Sequence, residues 1–192
     1  DIARTSYFFT QIRVLITYIR LLFLPVNQNF DYDYPIYNSF FAAPVLASFV
    51  VLASIFGLGI YMYFRSAGKP QLRLISFGIF WFFVALSIES SVFPIPMIIC
   101  EYRLYLPSVG IFIVVSAASM ALYKKAGEKP KAALLLAAVV IVAALSIASY
   151  QRNSVWRSTV GLWEDIAKKS PRKARAYNNL GYYYASIGQI DR

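Results

Sequence analysis

Residues 44–64 read P-V-L-A-S-F-V-V-L-A-S-I-F-G-L-G-I-Y-M-Y-F, 21 positions without a charged side chain. A bilayer core needs roughly 20 apolar residues in helical form, so this stretch decides the class. Arg65, Lys69 and Arg73 follow it at once. Three further apolar runs come after: Leu74–Ile88, with a start a few residues earlier left open, Leu104–Tyr123 and Ala132–Tyr150. Unpaired backbone is not tolerated in lipid, so helices are the reading. The expectation is an all-α chain with about four membrane spans.

Composition agrees. Apolar residues make up 59% of the chain and charged residues only 15%, far from the balance of a soluble domain. Histidine is absent and Cys100 is the single cysteine. That excludes a His-based triad, an imidazole base, a His-ligated metal and an internal disulfide in this stretch. Any chemistry here falls to carboxylates, arginines, lysines, tyrosines and backbone. The net charge is +10, yet no basic–aromatic reader motif accompanies it. The excess favours anionic membrane lipids or anionic sugars, and no nucleic acid.

Charge in the short loops orients the spans. Segment 65–73 holds three cations, and 124–131 holds four against Glu128. The segments before the first span and between the second and third carry Asp31, Asp33, Glu89 and Glu101 with a single Arg103. The positive-inside rule puts the basic loops in the cytoplasm. The acidic segments and everything after the fourth span are then external, whether periplasmic, extracellular or luminal.

The stretch Tyr7–Leu24 differs from the spans. Arg13, Thr17 and Arg20 recur at i, i+4 and i+7, on one stripe of a helix. An arginine at the bilayer centre costs at least about 2.5 kcal/mol, so a helix lying in the outer interface is expected. A spanning helix whose arginines face a polar cavity is the alternative. The arginines either snorkel to headgroups or form a basic rail beside a lipid phosphate.

Next comes L-P-V-N-Q-N-F-D-Y-D-Y-P, residues 24–35. In an extended chain Asn27, Asn29, Asp31 and Asp33 project to one face. Such an array would suit sugar hydroxyls or a divalent cation, or simply be a polar connection. It lacks the glycine and distal glutamate of a calcium loop. No cofactor is required by the sequence, and whether a metal is used stays open.

Residues 89–108, E-S-S-V-F-P-I-P-M-I-I-C-E-Y-R-L-Y-L-P-S, are too apolar in the middle for a solvated loop and too short to span. Arg103 at the mouth of a span is suited to an anionic phosphate, because guanidinium offers a fixed fork of donors and keeps its charge. Glu101 would hold Arg103 in place or act as an acid or base.

After the last span the pattern changes again. Tyr177, Leu180, Gly181, Tyr184 and Gly188 fall at tetratricopeptide spacing, with Ala174 opening the helix. They read as repeat-packing positions before binding positions. Trp156–Lys169 is amphipathic and stops at Ser170-Pro171, like the closing helix of a preceding half-repeat. A lone repeat cannot bury its apolar face. With Asp1 at one end and a half-begun second helix at the other, both ends read as truncations. The divisions are 1–43, interfacial helix and acidic loop; 44–150, the transmembrane module; and 151–192, a linker helix with the start of a repeat solenoid.

The pattern from Thr10 to Pro35, the E-Y-R-L-Y-L-P-S box at 101–108 and repeats after the last span resemble a known group. It is the tetratricopeptide-repeat membrane proteins related to the transmembrane O-mannosyltransferases, in the GT-C superfamily of polyprenyl-phosphate-sugar-dependent glycosyltransferases. Tyr102 stands where relatives often carry a histidine, so an acid–His–Arg role does not transfer to it. The resemblance implies sugar transfer from a polyprenyl-phosphate-linked donor to protein hydroxyls on the non-cytoplasmic face, with protein acceptors gathered by the repeats. It also implies a carboxylate base on an external loop upstream of Asp1, leaving the catalytic residue unassigned. Arg103, then Arg13 and Arg20, are the candidates for donor phosphate; Asp31, Asp33, Glu89 and Glu101 are those for sugar or metal. Two other functions stay open. One is an O-oligosaccharyl ligase or polymerase acting on lipid-linked glycans; the other is a non-enzymatic membrane-anchored repeat scaffold.

Overall fold

The computed structural model describes residues 2–88, 90 and 97–188, with the backbone alone at 128 and 129. The candidate Glu89 and the prolines at 94 and 96 lie outside the described residues. The described chain is all helical: α1 Arg4–Phe23, α2 Ala43–Phe64, α3 Pro70–Ser87, α4 Tyr105–Lys125, α5 Glu128–Ser154, α6 Thr159–Lys169 and α7 Ala174–Ser186. A single 3-10 turn, Glu101–Leu104, leads into α4, and another, Val155–Arg157, follows α5.

The four expected spans are α2 to α5, each long and apolar enough to cross a membrane. Proline opens both α2 and α3, where its missing N–H and fixed φ suit the first helical turn. Between them Gly68, at φ 69°, makes the tight reversal. That places α3 four residues earlier than its apolar run, because Pro70 rather than Leu74 starts it.

Packing is concentrated in the α2–α3–α4 group. α3 and α4 cross at Gly78 and Gly110, where a Cβ on either glycine would collide with the carbonyl oxygen of the other. Small residues at a crossing let two membrane helices bring their backbones together. Below it Ile75, Ile79 and Ala117 form a buried cluster with Ile55, Met62 and Val114 around it. α5 has no buried residue across its apolar window. Its Leu135, Leu136, Val139 and Val142 are exposed, as suits side chains whose solvent is lipid.

α1 sits at the end of this group where α2 starts and α3 finishes. Its Ile12 packs with Val45 and Leu52, while Val14, Tyr18 and Leu21 pack with Phe82, Leu86, Ile99 and Leu104. Two polar side chains pin connections to it. Gln11 Nε2 donates to the Ile98 carbonyl at 2.9 Å, and Thr10 Oγ1 accepts from the Tyr37 N–H at 2.9 Å.

The amphipathic stretch 156–169 is one helix in sequence but breaks in the structure. Ser158 takes the N-cap and accepts from the Gly161 N–H at 2.9 Å, so α6 starts at Thr159. α6 and α7 pair through buried Ile166 and Ala176, with the Tyr184 hydroxyl donating to Glu164 at 3.1 Å. Leu180 and Tyr184 are half-buried, and Tyr177 is half exposed. Gly181 has nothing within 4 Å of the place a Cβ would take. Gly188 sits at φ 74° just past α7, where its N–H bonds the Ala185 carbonyl. Its freedom at positive φ ends the helix rather than packing it.

Candidate functional site

The connection from α1 to α2 does not run straight. Asn27 takes φ 54° and the chain bends at Asn27, Phe30 and Asp31. The alternation of Asn27, Asn29, Asp31 and Asp33 expected from an extended chain is therefore broken. Asn27, Asn29 and Asp33 line one open cleft of about 700 Å³, and Asp31 does not.

The opposite wall of that cleft is the α1 stripe of Arg13, Thr17 and Arg20. Seven residues of helix set the two arginines about 10 Å apart along the axis. Tyr34 closes the middle, its hydroxyl 2.8 Å from Thr17 Oγ1. Burial raises the Tyr34 phenol above its ordinary value, against the Thr17 hydrogen bond and the charges of Arg13 and Arg20. Tyr34 thus faces both guanidinium groups as a neutral phenol. Lys169 and Ser170 reach the same cleft from the far end of the chain. The site presents three cations, one carboxylate, amides and hydroxyls around an opening at the end of the helix group.

The other candidates occupy different places. Arg103 is only 7% exposed and lies beside the Tyr18 hydroxyl, which also accepts from the Cys100 N–H at 3.0 Å. It does not line the cleft. Glu101 Oε1 accepts from the Tyr32 hydroxyl at 2.6 Å and from the Asn29 N–H at 2.7 Å. Its role here is to fold the loop that carries the cleft residues. Asp31 pairs with Lys173 at 3.3 Å and Asp33 with Arg172 at 2.6 Å. Among the described residues no three His, Cys, Asp or Glu side chains gather as a metal would need.

Lys169, Ser170 and Tyr34 line the cleft without a sequence signal that marks them. Ser170 and Asp33 are 137 positions apart, and nothing local in S-P-R-K announces a long-range partner. Tyr34 is hidden among the 15 tyrosines of the chain.

Against known proteins, no family model and no solved structure matches the chain. Curated relatives do. The Protein O-mannosyl-transferase tmtc2 of Xenopus laevis is 31% identical over 100 residues, 52% of this chain and 12% of the relative. The Protein O-mannosyl-transferase TMTC3 of Mus musculus is 27% identical over 150 residues, 77% of this chain and 16% of the relative. The Protein O-mannosyl-transferase Tmtc3 of Drosophila melanogaster is 24% identical over 99 residues. The chain is thus similar to proteins named as O-mannosyl-transferases and spans between 11% and 16% of the length of these curated relatives. With its four bilayer-length helices, it is an integral membrane protein.

Proposed function

We propose that this chain is part of a membrane glycosyltransferase of GT-C type, moving a sugar from a polyprenyl-phosphate donor to protein hydroxyls on the non-cytoplasmic face. The observation that carries the reading is the cleft: Arg13 and Arg20 face Asn29, Asp33 and Tyr34 where the helix group ends. Guanidinium groups there suit the phosphate of a donor whose tail stays in lipid. Amides, a phenol and a carboxylate opposite suit the hydroxyls of its sugar. Cations that meet the leaving phosphate stabilise charge where it develops in transfer. Similarity to proteins named as O-mannosyl-transferases supports mannose as the sugar. Arg103, buried beside Tyr18, would then brace the 98–104 segment against α1 rather than hold the donor. The α6–α7 pair, read as the opening of a tetratricopeptide array, would present protein acceptors to the cleft.

The acidic connection and the α6–α7 pair touch each other, so they share one compartment. Positive-inside logic makes it the external one.

The test uses the full-length protein in nanodiscs with a labelled polyprenyl-phosphate mannose and a serine- and threonine-bearing acceptor protein. Arg20→Ala and Arg13→Ala should each cut transfer at least about a hundredfold, with the folded yield unchanged. Transfer at the wild-type rate by both variants would remove the cleft from the reaction. A cysteine placed at Ser158 and labelled only from the cytosol would overturn the external assignment.

A further inference from the structure

The loop after α1 and the turn between α6 and α7 share a polar knot that neither could keep by itself. Asn29, Asp31 and Ser170 are 2%, 6% and 1% exposed, although none lies inside a helix. Polar groups buried this deeply are costly unless each is partnered. Ser170 Oγ accepts from Asn29 Nδ2 at 2.8 Å and from the Asp33 N–H at 2.9 Å. Asn29 Oδ1 accepts from the Asp31 N–H at 3.4 Å, and the Asp31 carboxylate pairs with Lys173 at 3.3 Å. Around the knot, Lys169 Nζ donates to the Gln28 carbonyl at 2.8 Å and Arg172 meets Asp33 at 2.6 Å. Phe30 stands edge-on to Trp156 and Trp163, with centroids 5.5 Å and 6.4 Å away.

These contacts fix the register of the loop from outside the membrane module. Two of the residues so held, Asn29 and Asp33, face Arg13 and Arg20 across the cleft. We infer that Ser170 is a positioning residue, and that the helix pair after the last span is a wall of the lipid-phosphate cleft rather than a tethered appendage. The cleft then has its binding geometry only while the pair is docked. This rests on the assignment of the cleft to a lipid phosphate made above.

Asp31 and Lys173 are the residues to exchange, because neither lines the cleft. In full-length protein in nanodiscs, Asp31→Lys and Lys173→Asp should each weaken binding of dolichyl phosphate about tenfold. Each should also shift tryptophan emission to the red as Phe30 leaves Trp156 and Trp163. The double exchange should restore both readings. Ser170→Ala, which removes no charge, should weaken binding in the same direction, with Ser170→Thr recovering part of it. Single exchanges that shift the emission but bind dolichyl phosphate as the wild type does would overturn the inference, as would exchanges that change neither reading. A wild-type protein that binds the lipid and transfers no sugar defeats the transferase reading and leaves this one standing. A wild-type protein that does not bind it defeats both.

Discussion

The Tyr32 hydroxyl donates to Glu101 Oε1 at 2.6 Å, tying the loop after α1 to the turn that starts α4 across 69 positions of sequence. The same oxygen takes the Asn29 N–H, so one carboxylate folds the loop that forms a wall of the cleft. Burial, then the Glu101 hydrogen bond and charge, raise the Tyr32 phenol well above its ordinary value. The neutral phenol is therefore favoured in the folded state. Its contribution is complete below about pH 10, the unfolded value, and is lost as pH rises beyond it. Glu101→Ala strands the Tyr32 hydroxyl and leaves the Asn29 N–H only its longer bond to the Tyr32 oxygen, at 3.2 Å; it should lower stability by about 1–3 kcal/mol. Glu101→Gln keeps an acceptor oxygen and should cost less. In both variants a phenolate absorbance titration should show one tyrosine titrating closer to pH 10; an unchanged titration would separate Tyr32 from Glu101.

Phe30 gives a second, independent handle on the same loop. Its ring meets Trp156 and Trp163 nearly at right angles, a geometry worth about 0.5–1.5 kcal/mol beyond the area it buries. Phe30→Ala should redden the tryptophan emission and open the 158–173 region to proteolysis, while the α2–α4 group stays intact by circular dichroism. Protease resistance equal to wild type would show that the hydrogen bonds and ion pairs hold the dock without the ring contacts.

Much of this was legible in sequence because spans, loops and helix stripes are local patterns. Residues 44–64 announce α2 by composition, and Arg13, Thr17 and Arg20 share a cleft wall because a helical stripe is a local property. The loop was harder. Asn27 at φ 54° breaks an alternation that holds only for extended chain. The position of Arg103 at the mouth of a span suits a phosphate ligand, whereas the folding of 98–104 against Tyr18 buries it. Asp31 and Asp33 read as free carboxylates for sugar or metal, but each is paired with a cation from 139 to 142 residues away, and Asp33 alone of the two lines the cleft. Long-range pairing of this kind leaves no periodic trace.

At the junction of α5 and α6, Arg152 and Lys169 both reach Asp165, at 2.6 Å and 2.7 Å. Burial alone would push the Asp165 carboxyl up, but hydrogen bonds from Lys169 and Arg152 and their charges hold it below the ordinary value. A depressed carboxylate contributes stability above its unfolded value, about pH 4, and loses it as pH falls through the folded value. Acidification below about pH 4 should therefore loosen this junction. Asp165→Asn should loosen it already at neutral pH and flatten the acid dependence. Proteolysis near Ser158 measures it, and a variant that keeps the wild-type acid profile would clear Asp165 of the role.

The α3–α4 crossing makes the sharpest packing prediction. A methyl on Gly78 would meet the Gly110 carbonyl oxygen and, at 2.8 Å, Val114 Cγ2. The first obstacle is backbone and cannot rotate away, so the helices must separate. Overpacking of this sort costs about 1–3 kcal/mol, and it would part the two helices that lead to the Glu101 turn. Gly78→Ala and Gly110→Ala should each lower the melting temperature and the folded yield in detergent, and Gly78→Leu should lower them further. Gly57→Ala is the control, because a Cβ there meets nothing within 4 Å. It should fold as the wild type does, or slightly better from helix propensity. Equal melting temperatures for Gly78→Ala and Gly57→Ala would show that the backbones do not touch at this crossing.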